Sequence, residues 1–121
     1  MKLKPGFGFL ISCALGVGSA QAHHSFAMFD QEKTATVEGT LYAAEFINPH
    51  GWIWIEVKNA AGETEKWGFE GGSVGELRRL GYTRKNLIVG TKVTANYHPL
   101  RDGRNGGQLV KLDFGEGKTT R

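Results

Sequence analysis

Phe46-Ile47-Asn48-Pro49-His50-Gly51-Trp52-Ile53-Trp54-Ile55-Glu56-Val57 is the stretch whose reading decides the fold. It reads as the end of one strand, a tight Asn-Pro-His-Gly turn, and a second strand of strict alternation. Ile53, Ile55 and Val57 fall on one face of that strand, and Trp52, Trp54 and Glu56 on the other. A period of two is what a strand with one buried face requires. Asn48 is expected to bond to its own nearby backbone, while Pro49 fixes φ and removes an N–H from the ladder. His50, a metal-capable and proton-active side chain, stands at a defined point of this stiff turn.

Upstream, Ala35, Val37, Leu41 and Ala43 alternate with Thr36, Glu38, Thr40 and Tyr42, with Gly39 in the middle. After Ala43 the phase slips to Ala44, Phe46 and Ile47, which predicts a long first strand with a bulge and a bend. Downstream, residues 59–62 close a hairpin into a third strand over 64–70, with Trp67 and Phe69 inward. Ser73 and Glu76 form a capping box and Gly81 a C-terminal stop, predicting a short helix that turns Val74, Leu77 and Leu80 to the core. Residues 83–87 read as a single further turn. A fourth strand turns Val93, Ala95 and Tyr97 inward against Thr94, Asn96 and His98. After a loop over 99–107, a fifth strand over 108–114 turns Val110, Leu112 and Phe114 inward. Three strands, a helix and two more strands is the order of a mainly β, small OB-like five-stranded barrel with one short helix between strands 3 and 4. The rival architecture is an open β-sandwich with one helix. The domain is expected over residues 35–114, followed by a polar tail over 115–121.

Residues 1–22 read as a signal peptide, with a basic n-region at Lys2 and Lys4, an apolar run over 7–17 and an Ala20-Gln21-Ala22 cleavage site. The apolar run is shorter than the about 20 residues that span a bilayer. Cleavage after Ala20 is the alternative site, and Leu10-Ile11-Ser12-Cys13 superficially resembles a lipoprotein box. Cleavage after Ala22 leaves 99 of the 121 residues, enough for one small domain. Without Lys2 and Lys4, 13 of the 15 basic residues face 12 acidic ones, which is no nucleic-acid charge signature. The remaining chain has no cysteine and must be held by its core rather than by disulfides. The expectation is a periplasmic or secreted protein with no nucleic-acid partner and no membrane partner after cleavage. Phe26, Met28 and Phe29 are more apolar than a free tail needs, so the segment over 23–34 is expected to dock on the domain.

All four histidines, His23, His24, His50 and His98, lie beyond the cleavage site. On an OB barrel the loops after strands one and four flank the same face, so His50 and His98 are expected at one rim. An N-terminal His23 carries a free α-amine beside its imidazole, and a further imidazole completes a nitrogen set suited to copper. This resembles the histidine brace of copper monooxygenases and of some periplasmic copper carriers. The plainer reading is that His50 donates to a carbonyl and fixes its turn, that His98 is an exposed strand end, and that His23 and His24 are solvated. Trp52 and Trp54, with Asn48 nearby, form either a stacking platform for a sugar or peptide or a surface covered by Phe26 and Phe29. Arg78, Arg79, Arg84, Lys85, Arg101 and Arg104 read as a solvated basic face rather than an anion site. Gly71-Gly72 lacks the spacing and lysine of a phosphate loop. No nucleophile with a base, and no acidic dyad, stands out, so a non-enzymatic binding protein is expected. Its ligand is a copper-type metal or a small molecule at the rim, and the alternative is an oligosaccharide or peptide on the two tryptophans.

The exported His23-His24-Ser25-Phe26 start, the Asn48-Pro49-His50-Gly51-Trp52 turn, the Trp67-Gly68-Phe69-Glu70 strand and Arg78-Arg79-Leu80-Gly81-Tyr82-Thr83 together resemble a family of small exported bacterial proteins of unknown function. The resemblance covers nearly all of the mature chain and implies no activity, substrate or cofactor.

Overall fold

The computed structural model describes residues 26–114; the expected signal peptide, His23, His24 and the tail over 115–121 lie outside the described residues. The elements are β1 (Ala35–Glu45), β2 (Trp52–Lys58), β3 (Thr64–Glu70), α1 (Val74–Arg79), β4 (Lys92–Pro99) and β5 (Gly106–Phe114). The strands close into a barrel in the order β1-β2-β3-β5-β4, with antiparallel neighbours except for the parallel β3–β5 pair. This is the expected OB-type barrel, with the helix between the third and fourth strands.

The strand β1 serves two neighbours. Its first half pairs with β4, from Ala35 opposite Tyr97 to Thr40 opposite Lys92, and its second half pairs with β2, ending at Glu45 opposite Trp52. The register shifts between Leu41 and Ala43, so Tyr42 is the extra residue of a bulge. A bulge adds twist and bends its strand, which lets one strand turn the corner of a small barrel. Gly39 sits at the bend because a Cβ there would lie 2.5 Å from the Glu56 carbonyl oxygen.

Closure between β3 and β5 is narrow. It consists of Gly68 opposite Gly106, Phe69 opposite Gly107 and Glu70 opposite Gln108. Gly106 has φ of +108°, and a Cβ on it would lie 2.2 Å from the Gly68 carbonyl oxygen. A Cβ on Gly107 would lie 2.1 Å from the His98 carbonyl oxygen. Only glycine allows the strands this close. Beyond the three paired positions, Tyr82 takes over. Its hydroxyl donates to the Leu112 carbonyl at 3.3 Å and accepts from the Leu112 N–H at 2.9 Å.

Helix α1 is capped as the sequence predicts, with Glu76 N–H donating to Ser73 Oγ and Ser73 N–H donating to Glu76 Oε2. At its C-terminus Gly81 N–H donates to Arg78 O and Tyr82 N–H to Leu77 O, with Gly81 at φ +86°. This is a Schellman ending, whose apolar contact joins Tyr82 to Leu77. The helix has only six residues, so its inward stripe reduces to buried Leu77.

The core holds Leu41, Ile53, Ile55, Val57, Phe69, Leu77, Tyr82, Leu87, Val93, Ala95, Tyr97 and Leu112, with Val37 and Trp67 half-buried against it. Of the expected core residues, Val74 is half-buried but not packed against the core, and Leu80 and Val110 are exposed. Leu80 is 62% exposed because it is the helix C-cap, and Tyr82 takes the inward place. Val110 is 47% exposed because the β4–β5 register shifts beside it, so that Leu109 faces Tyr97. Strand β5 also starts at Gly106 rather than at 108, shortening the preceding loop.

Two substitutions separate core from closure. Ile55→Ala, at a site with no exposed surface, is expected to cost about 2–5 kcal/mol in urea unfolding. Gly106→Ala is expected to cost roughly 3 kcal/mol despite adding apolar surface, because it drives a methyl into the Gly68 carbonyl at a left-handed backbone position.

Candidate functional site

The outer face of β2 and β3 carries the two tryptophans as a pair. Their ring centroids lie 5.6 Å apart with planes 19° from parallel, an offset stack along the strand. Trp54 stands opposite Gly68, and a Cβ there would come within 2.5–2.9 Å of three Trp54 ring atoms. The missing side chain is therefore what lets the indole lie down on the sheet. Its Nε1–H donates to Glu45 Oε1 at 3.1 Å, which fixes the ring's azimuth. Both rings remain half-exposed on the outside of the barrel.

These rings floor a groove of about 240 Å³, walled by Lys66, Leu100, Arg104, Asn105, Met28 and Phe29. Lys66 lies on β3, its ammonium 3.9 Å from the Tyr42 ring centroid. Arg104 and Asn105 come from the loop before β5. The Arg104 guanidinium meets Asp102 at 2.7 Å, and Asn105 Nδ2–H donates to Glu65 at 3.0 Å. Hydrogen bonds from the Arg104 backbone and side chain hold the Asp102 carboxyl below the usual carboxylate range.

One side of the groove is the chain's own N-terminal segment. Phe29 is 2% exposed and forms a β-bridge with Leu100, whereas Phe26 and Met28 remain 54% and 45% exposed. The docking expected of Phe26 and Phe29 together is thus carried by Phe29. The segment is tied by Asp30 N–H to Pro99 O, Arg101 N–H to Met28 O and Arg101 Nε–H to Ala27 O. A hydrogen bond from Lys33 holds the Asp30 carboxyl low and closes the following turn.

The loop over 46–51 is stitched to the β3–α1 junction. Gly51 N–H donates to Gly72 O and Gly71 N–H to Gly51 O. Asn48 does not close its own turn: its Oδ1 accepts from Val74 N–H, 26 residues away, at the start of the helix. The Asn48–Pro49 peptide is cis. His50 Nδ1 lies 3.2 Å from Gly71 O and 3.4 Å from Glu70 Oε1. A carbonyl only accepts, so Nδ1 carries the proton and Nε2 is the open nitrogen. That contact is to a carbonyl, as in the plainer reading, but it ties the loop to the β3–α1 junction rather than closing the turn itself.

His98 is elsewhere. Its Nδ1 donates to Lys33 O at 2.7 Å, on the β1 side of β4. In register, His98 faces Gln108, Gln108 faces Glu70, and Glu70 faces Trp52. Three inter-strand steps of about 4.8 Å therefore separate His98 from the residue two places after His50. The rings are turned to different carbonyls about three strands apart, so the two histidines are not brought together as one ligand group. Among the described residues no group of three histidine, cysteine, aspartate or glutamate side chains is placed to hold a metal ion. His23 and His24 lie outside the described residues.

Of the expected ligand residues, Trp52 and Trp54 meet in one groove, while Asn48 caps the helix beside it. Lys66, Gly68 and Asn105 were not legible as site residues, and Arg104 was read as part of a solvated basic face. They come from a strand and a loop about 40 positions apart, and only Gly68, opposite a tryptophan, offers a signal in hindsight. A larger concavity of about 480 Å³ lies where β1 bends, among Glu38, Thr40, Glu56, Lys58, Lys92 and Thr94. It has no aromatic surface and mixes both signs of charge, so it offers less for a ligand to recognise.

None of the curated proteins matches the chain. Among solved structures, the dimeric N-terminal domain of PriB protein from Thermoanaerobacter tencongensis is similar at 17% identity and a TM-score of 0.48. That similarity covers 72% of this chain and 100% of the other. Residues 10–109 match the model of a family described as a family of unknown function, DUF6152, and the chain belongs to that family.

Proposed function

We propose that this chain is an exported, non-enzymatic binding protein that holds the ring of a saccharide on Trp52 and Trp54. The observation that carries this reading is the stacked, half-exposed indole pair laid on Gly68 in a groove with a polar wall. OB barrels use this face, between the loops after strands one and four, for oligosaccharides and oligonucleotides. The groove volume of about 240 Å³ lies below the about 300–1,000 Å³ of sites for drug-sized ligands, which supports one ring seated at a time. An aromatic peptide side chain is the less favoured occupant, because Phe29 already fills the apolar corner such a side chain would seek. Export rests on the sequence of residues 1–22, and the near-balanced charge of the rest argues against nucleic acid.

One observation favours a second reading, a copper-type site. His50 has Nδ1 engaged by Gly71 O and Glu70, which leaves Nε2 as an oriented, open donor. Metal-binding histidines are commonly held in this way by a carboxylate or a carbonyl. The amine and ring of His23, or the ring of His24, would supply the remaining nitrogens, and His98 would not take part.

Two measurements test these readings. Screening neutral and acidic oligosaccharides by tryptophan fluorescence should find a binder, and Trp54→Ala should weaken it by about 2 kcal/mol, roughly thirtyfold. Gly68→Ala should weaken it comparably and alter the exciton couplet of the indole pair in circular dichroism, while lowering stability less than Gly106→Ala does. Failure of the whole panel to bind would reject the saccharide reading. For copper, titration of the mature chain with Cu(II) should give a nitrogen-rich paramagnetic resonance signal at one equivalent. That signal should be lost in His50→Ala and kept in His98→Ala; an aquo-ion spectrum in the unmodified chain would reject this reading.

A further inference from the structure

The charged residues lining the groove are of one sign. Lys66 and Arg104 face the tryptophan floor, and no carboxylate lines it. Carboxylates stand around the groove: Glu45 accepts the Trp54 indole N–H, Glu65 accepts from Asn105, Glu70 faces His50, and Asp102 pairs with Arg104, which leaves Lys66 as the lining cation without a carboxylate contact among the described residues. Among the described residues Lys66 makes no ion pair, although Glu56 faces it in register, and its ammonium rests over the Tyr42 ring. Asn105 gives its amide N–H to Glu65 and keeps its Oδ1 as an acceptor for a hydroxyl.

We infer that the ring bound here carries a carboxylate, as in a uronic-acid saccharide. This rests on the proposal that the groove is a ring-binding site, and it names the ligand class. The C–H face of the sugar lies on the indoles, a hydroxyl meets Asn105 Oδ1, and the carboxylate points to Lys66 with Arg104 beside it. A neutral sugar leaves the Lys66 ammonium with the Tyr42 ring and, among the described residues, no carboxylate contact. A cationic ring is repelled by Lys66. The gain from the charge is modest, because exposed ion pairs contribute only about 0.2–1 kcal/mol and are weakened by salt.

The test uses a galacturonic-acid trisaccharide and its fully methyl-esterified form, which keeps the rings and removes the charge. Each is titrated into the mature chain by tryptophan fluorescence at low and at high salt. The free acid is expected to bind about three- to fivefold more tightly at low salt, and the advantage should vanish at high salt. Lys66→Met should erase the difference between acid and ester, and Trp54→Ala should weaken both forms. Equal affinity for acid and ester at low salt overturns the inference while ring stacking stands. Absence of binding by both forms, or binding indifferent to Trp54→Ala, overturns it together with the ring-site reading for these sugars. Tighter binding of an oligothymidylate of equal charge also overturns it, and makes the groove a nucleic-acid face.

Discussion

The barrel depends on a backbone contact between glycines. Where β3 meets β5, Gly106 approaches the Gly68 carbonyl, and on the other side of β5 Gly107 approaches the His98 carbonyl of β4, both at distances that leave no room for a methyl. Only three residue pairs close the sheet at this seam. Antiparallel ladders around the rest of the barrel supply most of the pairing, but they would leave an open, curled sheet without this junction. An open sheet presents unpaired edges and a half-covered core, which costs both hydrogen bonds and apolar burial. The glycines therefore set the geometry to which β4, β5 and the loop before β5 are fitted.

The same junction shapes the candidate site. Gly68 closes the barrel through its carbonyl and lets Trp54 lie flat through its missing side chain. Gly107 closes it from the other strand and lines the same groove. A site founded on closely packed backbone is stiffer than one carried by loops alone, because the floor cannot move without opening the barrel. The walls are a different matter. Phe29 belongs to a segment held by a few backbone bonds and one buried side chain, and Arg104 belongs to a surface loop. The groove thus joins a rigid aromatic floor to more adaptable sides, an arrangement suited to seating a ring whose substituents vary.

Local chemistry was readable in the sequence and distant chemistry was not. The alternation of β2, the capping box at Ser73 and Glu76, and the Gly81 stop all act within a few residues, so their signals survive without knowledge of the fold. Val110 is exposed because it is itself the extra residue of a bulge in β5, and a period of two does not report where a strand bulges. Leu80 has the spacing of a core residue, yet the helix ends one residue too soon for that spacing to matter. Asn48 was assigned to its own turn, the usual habit of asparagine, but a helix N–H 26 positions away offered an unpaired donor. His50 and His98 were expected together from the general arrangement of OB loops. The actual register sets Gln108 and Glu70 between them, and their rings turn to separate carbonyls. The groove's cations are scattered in sequence and gather only because the loop before β5 folds back over β3.

Tyr82 has a consequence beyond its place in the core. By giving and receiving a hydrogen bond at Leu112, one phenol hydroxyl occupies both backbone groups that this position of β5 would otherwise offer to a passing strand. Exposed strand edges are the templates on which folded proteins recruit one another into aggregates. A side chain that fills the vacancy from within, itself locked by the helix terminus, works as a plug no other molecule has to supply. Tyr82→Phe, which keeps the ring and removes only the hydroxyl, would reopen that vacancy without emptying the core.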